Sequence, residues 1–361
     1  RRMQLLGMTS ESGAAQRGQH ADALARTLRR RTIAEGTITL PSVPALLDDY
    51  VTTCLSTFSA IGVEFDDQQC SELREILRAQ LDESFAASPR SSIVITYDVP
   101  IGHMVNYHVR PQWASVEQTY DGWVANREPP YFGVEPDARV WALAGEHDDP
   151  RACPVLDVGA GTGRNTLALA RRGHPVDALE MSGSFADILR EEARAQSLGI
   201  RVIQRDLFTA KDYLPGDYGL VVVSEVTSDF RSVDELRQMF ELAASCLVPG
   251  GRLVVSAFIA RDGFVPDDAA RQVAQQAYSA VFTRGEVESA VAGLPLVLVD
   301  DTCVYDYEAE HQPRESWPPT SWYEGWVLGQ DVFPVGRPDS PMELRWLVYR
   351  QADDAGGGLG D

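Results

Sequence analysis

The segment Val155-Leu-Asp-Val-Gly-Ala-Gly-Thr-Gly-Arg-Asn165 ends an apolar run and opens a helical pattern at Thr166. Glycine in such a turn takes positive φ at no steric cost and lets backbone amides approach a ligand closely. Dinucleotide-binding folds use a glycine turn as well, but with the spacing G-x-G-x-x-G. Here Gly159, Gly161 and Gly163 alternate with single residues, and Asp157 precedes them on the expected strand. The loop alone is weak evidence. Spacing and the preceding acid separate it from the dinucleotide fingerprint.

Taken with three features that follow in order, this loop resembles the class I S-adenosylmethionine (SAM) dependent methyltransferases. The resemblance implies that Asp157, Gly159, Ala160, Gly161, Gly163 and Asn165 surround the cofactor. Glu180, which ends Val-Asp-Ala-Leu-Glu, matches the acid that holds both ribose hydroxyls, with Met181 beside it. A carboxylate suits a vicinal diol because it accepts two hydrogen bonds at once. Asp206 in Gln-Arg-Asp-Leu-Phe matches the acid that receives the adenine amino group, and Leu207 would pack on the adenine. Leu247-Val-Pro-Gly-Gly-Arg-Leu253 matches the tight turn before the family's fifth strand. The implied cofactor is SAM, with S-adenosylhomocysteine (SAH) as product. The resemblance covers Arg139 to Arg350, and its Gly-Arg-Asn-Thr opening is similar to the tellurite-resistance-type branch. The acceptor is decided outside the cofactor site.

In a doubly wound sheet ligands lie beyond the carboxyl ends of the strands, which directs attention to the segments leaving those ends. The fourth strand runs into Ser224-Glu225-Val226, so Glu225 is a candidate general base; the alternative is a bond to the SAM ammonium or to a loop amide. Nearly forty residues separate the last two strands and carry Trp317, Trp322, Trp326 and Phe333. They read as a lid over an apolar acceptor, or as a hydrophobic plug or homodimer contact. His311, close to Glu308 and Glu310, is a candidate acid-base group or a solvated loop residue. Tyr131 and Phe132, after Pro129-Pro130, either line the site or pack between modules, and Phe258 at the end of the fifth strand is a further candidate for the acceptor side. His103 and His108 fall five apart on an expected strand, hence on opposite faces, and no metal site is expected.

The elements that must hold these residues follow from periodicity. Val155–Val158, Val176–Leu179, Arg201–Arg205, Leu220–Ser224 and Leu253–Ala257 are short apolar runs separated by helix-length segments, the rhythm of a parallel sheet with crossover helices. Leu296–Val304 and Met342–Tyr349 have no helical pattern between them, so the last strand is expected to return antiparallel. The fold class is thus α/β, a Rossmann-like seven-stranded sheet over residues 111–352. Before it, Leu47, Tyr50, Val51, Cys54 and Phe58, then Leu73, Leu77 and Leu81, recur at helical spacing. A hairpin over Ser92–Val99 and Val105–Val109 follows, which makes residues 1–110 an accessory α+β module. The Gly-rich end, 353–361, is expected to be disordered, and Arg1 in place of an initiator Met implies a trimmed start.

Composition bounds the partners. A formal charge of -21 over 361 residues repels polyphosphates, so nucleic acid is not an expected partner. No apolar run reaches the roughly 20 residues that span a bilayer, and no signal peptide is evident, so a cytoplasmic location is expected. The five cysteines are scattered without metal or disulfide spacing. Only Lys211 among 32 basic residues is lysine, as a GC-rich bacterial genome would encode. The function expected is methyl transfer from SAM to an O, N or C nucleophile of a small, apolar or aromatic metabolite, of the kind found in natural-product biosynthesis. The rivals are methylation of a cationic peptide or protein, and a non-methylating SAM-binding or pericyclase-like role.

Overall fold

A computed structural model of the chain describes residues 5–29, 31–100 and 104–353. His103 and residues 354–361, which include most of the expected tail, lie outside the described residues. The chain divides by compactness into Arg1–Ala114 and Ser115–Asp361, four residues beyond the boundary expected at 110.

In the first unit, α1 (Leu5–Arg29) is followed by β1 (Ala34–Pro41), α2 (Leu47–Ala60), α3 (Asp67–Ala87), β2 (Ser92–Val99) and β3 (Asn106–Gln112). The strands form one antiparallel sheet in the order β1-β2-β3. Helices α2 and α3 occupy the two amphipathic stretches. Their apolar faces, with Cys54, Phe58, Leu73, Leu77 and Leu81, are buried against Ile93 and Ile95 of β2 in one core. Asp66 starts α3 with a capping box: its side chain takes the Gln69 amide, and the Gln69 side chain takes the Asp66 amide. β1 was not expected from sequence, although its residues alternate between half-buried and exposed along its length.

The second unit opens with α4 (Val116–Asn126) and α5 (Ala138–Ala144). The alternating series β4 (Val155–Val158), α6 (Arg164–Arg172), β5 (Val176–Glu180), α7 (Gly183–Ala195), β6 (Ile200–Gln204), β7 (Tyr218–Val223), α8 (Val233–Cys246) and β8 (Leu247–Ala260) follows. After α9 (Asp268–Gln276), the two-residue β9 (Val281–Phe282) and α10 (Arg284–Val291) come β10 (Leu296–Cys303), α11 (Val304–His311), α12 (Tyr323–Val327) and β11 (Met342–Gln351). The main sheet has the order β10-β11-β8-β7-β4-β5-β6, and β9 pairs beside β8. β11 lies antiparallel between β8 and β10, while β4, β5, β6, β7 and β8 run parallel. A mostly parallel sheet in this order with one inserted antiparallel strand is the class I methyltransferase fold.

β7 is buried at all six positions, as a central strand covered on both faces must be, and it therefore reads as an unbroken apolar run. One expectation fails here. The connection between β10 and β11 holds two helices, α11 and α12, where none was expected. Both are short, eight and five residues, and α11 has only Val304 and Glu308 buried, so it lacks the long apolar stripe that reveals a helix in sequence. Among the described residues no helix is long and apolar enough to cross a membrane.

Candidate active site

The chain leaves β4, pairs β5 and then β6 on one side, and crosses to β7 on the other. The gap at that reversal, beyond the carboxyl ends of β4 and β7, is where an open α/β sheet offers a crevice. A cavity of about 330 Å³ lies there, within the size range of small-molecule sites.

Its floor is the glycine loop. Gly159, Gly161 and Gly163 all have positive φ, at 68°, 55° and 98°. A Cβ on Gly159 would lie 2.3 Å from Val226 Cγ2, and one on Gly163 would lie 2.4 Å from Leu189 Cδ1, so conformation and space both demand glycine there. The amides of Gly159 and Ala160 donate to Leu179 O at 2.8 and 3.1 Å, which ties the loop to the end of β5. Glu180 completes the tie: Oε2 accepts from Gly161 N and Oε1 from Ser182 N, each at 2.7 Å. Burial pushes its carboxyl up while these amides act in the opposite direction. Each oxygen keeps a lone pair, so a diol can still be received. Asp157 is buried beneath the loop, takes a 2.6 Å bond from Thr166 Oγ1, and is pushed up to about 7 by burial.

One ion cluster forms the side wall. Arg164, the residue after the third glycine, reaches Asp137 Oδ1 and Glu225 Oε1, both at 2.8 Å. Asp137 is further held by Asn165 Nδ2 at 2.9 Å and by Ser224 Oγ at 2.7 Å. Burial lowers the tendency of the Arg164 guanidinium to stay charged, but Asp137 and Glu225 outweigh it and hold the charge in place. Burial pushes Glu225 up to about 7, with Arg164 opposing. Glu225 also has φ of 61°, a left-handed conformation that few non-glycine residues adopt and that concentrates at functional sites. Its amide donates to Ser256 Oγ at 2.8 Å, and Ser228 Oγ donates to its carbonyl at 3.0 Å.

The opposite wall is aromatic. Tyr120 and Trp123 of α4 pack edge to face at 5.2 Å, and Tyr278 lies 5.6 Å from Trp123. Trp322 and Trp326 continue the wall 5.8 Å apart, and Trp326 Nε1 donates to Tyr278 O at 2.8 Å. Phe132 faces the loop, 3.4 Å from where a Cβ on Gly161 would stand.

The cavity therefore brings together Asp157, Gly159, Ala160, Gly161, Asn165, Glu180, Met181, Glu225, Phe132, Trp322 and Trp326 from the residues singled out by sequence. It does not reach the others. His311 stacks on Tyr307 at 4.2 Å, bonds Tyr307 O through Nδ1 and lines a separate groove with Trp141 and Arg172. Trp317 packs on Tyr305 and Tyr323 at 5.6 and 5.7 Å. Phe258 is wholly buried against Trp326, and Tyr131 rests on Phe185. Asp206 is exposed and caps the turn at Leu207 by accepting from Phe208 N, while Gly163 serves to start α6. Sequence reasoning missed Asp137, Arg164 as an ion-pair partner, and Tyr278. Nothing in local patterning couples Asp137 to Glu225, which are brought together only by the crossover. Tyr278 had one signal, a lone aromatic after the polar helix α9.

Residues 155–251 match a methyltransferase-domain family. Demethylmenaquinone methyltransferase of Tropheryma whipplei (strain Twist) is 38% identical over 106 residues, 29% of this chain and 41% of that protein. Magnesium-protoporphyrin O-methyltransferase of Rhodobacter capsulatus is 32% identical over 95 residues, 26% and 42% of the two chains. Ubiquinone biosynthesis O-methyltransferase of Coxiella burnetii (strain RSA 493 / Nine Mile phase I) is 32% identical over 103 residues, 28% and 42%. The matched region thus spans about two fifths of these relatives' length. Geranyl diphosphate C-methyltransferase from Streptomyces coelicolor A3(2) aligns over 66% of this chain and all of its own at 16% identity and TM-score 0.49, too distant to transfer any residue's role. Residues 155–251, which hold the glycine loop and Glu180, are thus similar to a methyltransferase domain.

Proposed function

We propose that this chain is a SAM-dependent methyltransferase that acts on a small, apolar or aromatic metabolite. The observation that carries the reading is one cavity with two unlike walls, a glycine loop with Glu180 on one side and an aromatic surface on the other. The glycine turn and the Glu180 carboxylate suit a nucleoside with a free diol, and Asp206 with Leu207 would meet the adenine end. When bound, SAM supplies a methyl group on a sulfonium that leaves without acid catalysis. The chain's own task is then positioning, which brings the acceptor in line and keeps water out. No nucleophilic triad is needed for that. Glu225 serves as the base at the acceptor, and the cytoplasm is the proposed location. The tellurite-resistance-type branch and a role in natural-product biosynthesis remain part of this reading as its finest grain.

The tryptophans give a test of the acceptor side. Trp322→Leu and Trp326→Leu should each raise acceptor KM, whereas Trp317→Leu should lower melting temperature and leave KM unchanged, because lost buried aromatic area at about 25 cal/mol per Å² acts on stability. SAH formation from SAM over a panel of small aromatic acceptors is the measurement. If all three variants keep the wild-type KM while melting temperatures fall, the aromatic segment is a structural plug.

A further inference from the structure

Helix α5 begins in an unusual way. Asp137 stands at its N-cap position, where an aspartate side chain ordinarily accepts from one of the first amides of the helix, yet here it makes no such bond. Both of its oxygens are committed to the site instead: Oδ1 meets Arg164, and Oδ2 accepts from Asn165 Nδ2 and Ser224 Oγ. A helix of seven residues is too short to hold its first turn by propensity alone. Its amides are met from 170 positions down the chain, where Glu308 of α11 accepts from Ala138 N through Oε2 at 2.7 Å. Glu308 Oε1 accepts from Arg139 N at 3.1 Å.

Glu308 is 1% exposed, and Trp346 Nε1 of β11 and Gln312 Nε2 also donate to it, at 2.9 and 3.1 Å. A protonated carboxyl would have to turn its proton toward a donor, so this ring of donors holds Glu308 as the anion although burial opposes it. Gln312 further donates to Pro136 O at 2.7 Å, so α11 grips the chain on both sides of Asp137. The consequence falls on Arg164. Its guanidinium is divided, one arm to Asp137 and one to Glu225, at 2.8 Å each. With Glu308 withdrawn, the Asp137 carboxylate is the group placed to turn back and satisfy an orphaned amide of α5. Arg164 could then set both arms on Glu225, the two-pronged geometry that guanidinium and carboxylate favour.

We propose that Glu308 is a positioning residue for Glu225: by capping α5 in place of Asp137, it keeps Asp137 on Arg164 and so denies Glu225 the whole of that cation. Glu225, held through one oxygen only, stays able to take up a proton. The inference bears on turnover only through the role proposed above for Glu225. Beyond Asp137, Arg164 and Glu308, the titratable groups that border this cluster are Asp157 of β4 and the buried Tyr323 of α12. Arg127, Asp229 and Asp331 stand elsewhere on the cavity lining. All five stay unchanged in the variants that test the proposal.

The test reads the Glu225 carboxyl directly, in the full chain and without any ligand. Glutamate is isotope-labelled at its side-chain carboxyl carbon, the Glu225 signal is identified as the one missing from Glu225→Gln, and it is followed by NMR against pH. In the wild type it should titrate at about 7. Glu308→Gln turns one accepting oxygen into a donor and should lower that midpoint by about one unit, as a carboxylate responds when it gains an undivided arginine. Glu308→Asp keeps the charge but draws it back from the amides, and the midpoint should fall there too. Asp137→Asn should also lower it, and adding Glu308→Gln to that variant should shift it by less than about 0.3 units further, because the residue through which Glu308 acts is already changed. Melting temperatures confirm that each variant is folded; should one Glu308 variant not fold, the other decides. A Glu308→Asp midpoint within about 0.2 units of wild type, or shifts that add in the double variant, would make Glu308 a stabiliser of α5 or a distant charge and overturn the proposal. Neither SAM nor an acceptor enters this measurement, so its failure leaves methyl transfer standing. SAH titrated into the same samples tests that reading separately.

Discussion

Glu225→Gln is expected to lower turnover by about 10²–10⁴ while leaving SAM affinity nearly intact. The residue sits on the cavity wall in a left-handed conformation that costs about 1–3 kcal/mol and persists only because its surroundings enforce it. Three groups do so: Ser256 receives its amide, Ser228 binds its carbonyl, and Arg164 fixes one carboxylate oxygen. On the proposed reading, the other oxygen takes the acceptor's proton. Burial pushes the carboxyl up to about 7, and an acid so raised is protonated below that pH and becomes a base above it. Turnover should therefore climb as pH rises through about 7, and the Gln variant should lose that limb. Single-turnover kinetics against pH would check it. A variant that loses SAM affinity but keeps its single-turnover rate would make Glu225 a cofactor ligand instead.

Arg164→Met should be strongly destabilising, by about 3–5 kcal/mol, because it leaves the buried Asp137 and the part-buried Glu225 without their counter-charge. At about 2–4 °C per kcal/mol for a unit of this size, melting temperature should fall by about 10 °C. Arg164→Lys should recover only part of the loss. One ammonium cannot reproduce the two-armed geometry that meets Asp137 and Glu225 together. Pairing Arg164→Met with Asp137→Asn and Glu225→Gln should restore much of the stability, since removing all the charges avoids the stranded state. Thermal melts of these variants decide the matter, and a loss under 1 kcal/mol for Arg164→Met would show that the cluster is solvated.

The sheet was legible because its chemistry is local. β4, β7 and β8 are buried on both faces and so appear as apolar runs, and the glycines of the loop announce positive φ by residue type alone. Glu180 was legible through its order after the loop. What escaped depended on long-range closure. Asp137 and Glu225, 88 positions apart in the chain, share Arg164 as their partner, and no periodicity records such a meeting. His311 looked chemically suggestive just after Glu308 and Glu310, yet helix α11 turns it onto Tyr307, and the buried acid of that helix is Glu308, which caps α5 through the amides of Ala138 and Arg139. Trp317 and Trp326 share a composition but not a fate, because α12 carries only the second toward the cavity.

The central claim is that the glycine loop and Glu180 hold SAM. Calorimetric titration of SAH into the wild-type chain and into Glu180→Ala tests it most directly, with melting temperatures recorded to confirm that both are folded. One SAH per chain should bind the wild type, and the variant should bind about 5- to 150-fold more weakly, the effect of losing hydrogen bonds worth about 1–3 kcal/mol. Equal affinity in the two proteins, or no saturable binding to the wild type, would contradict the account.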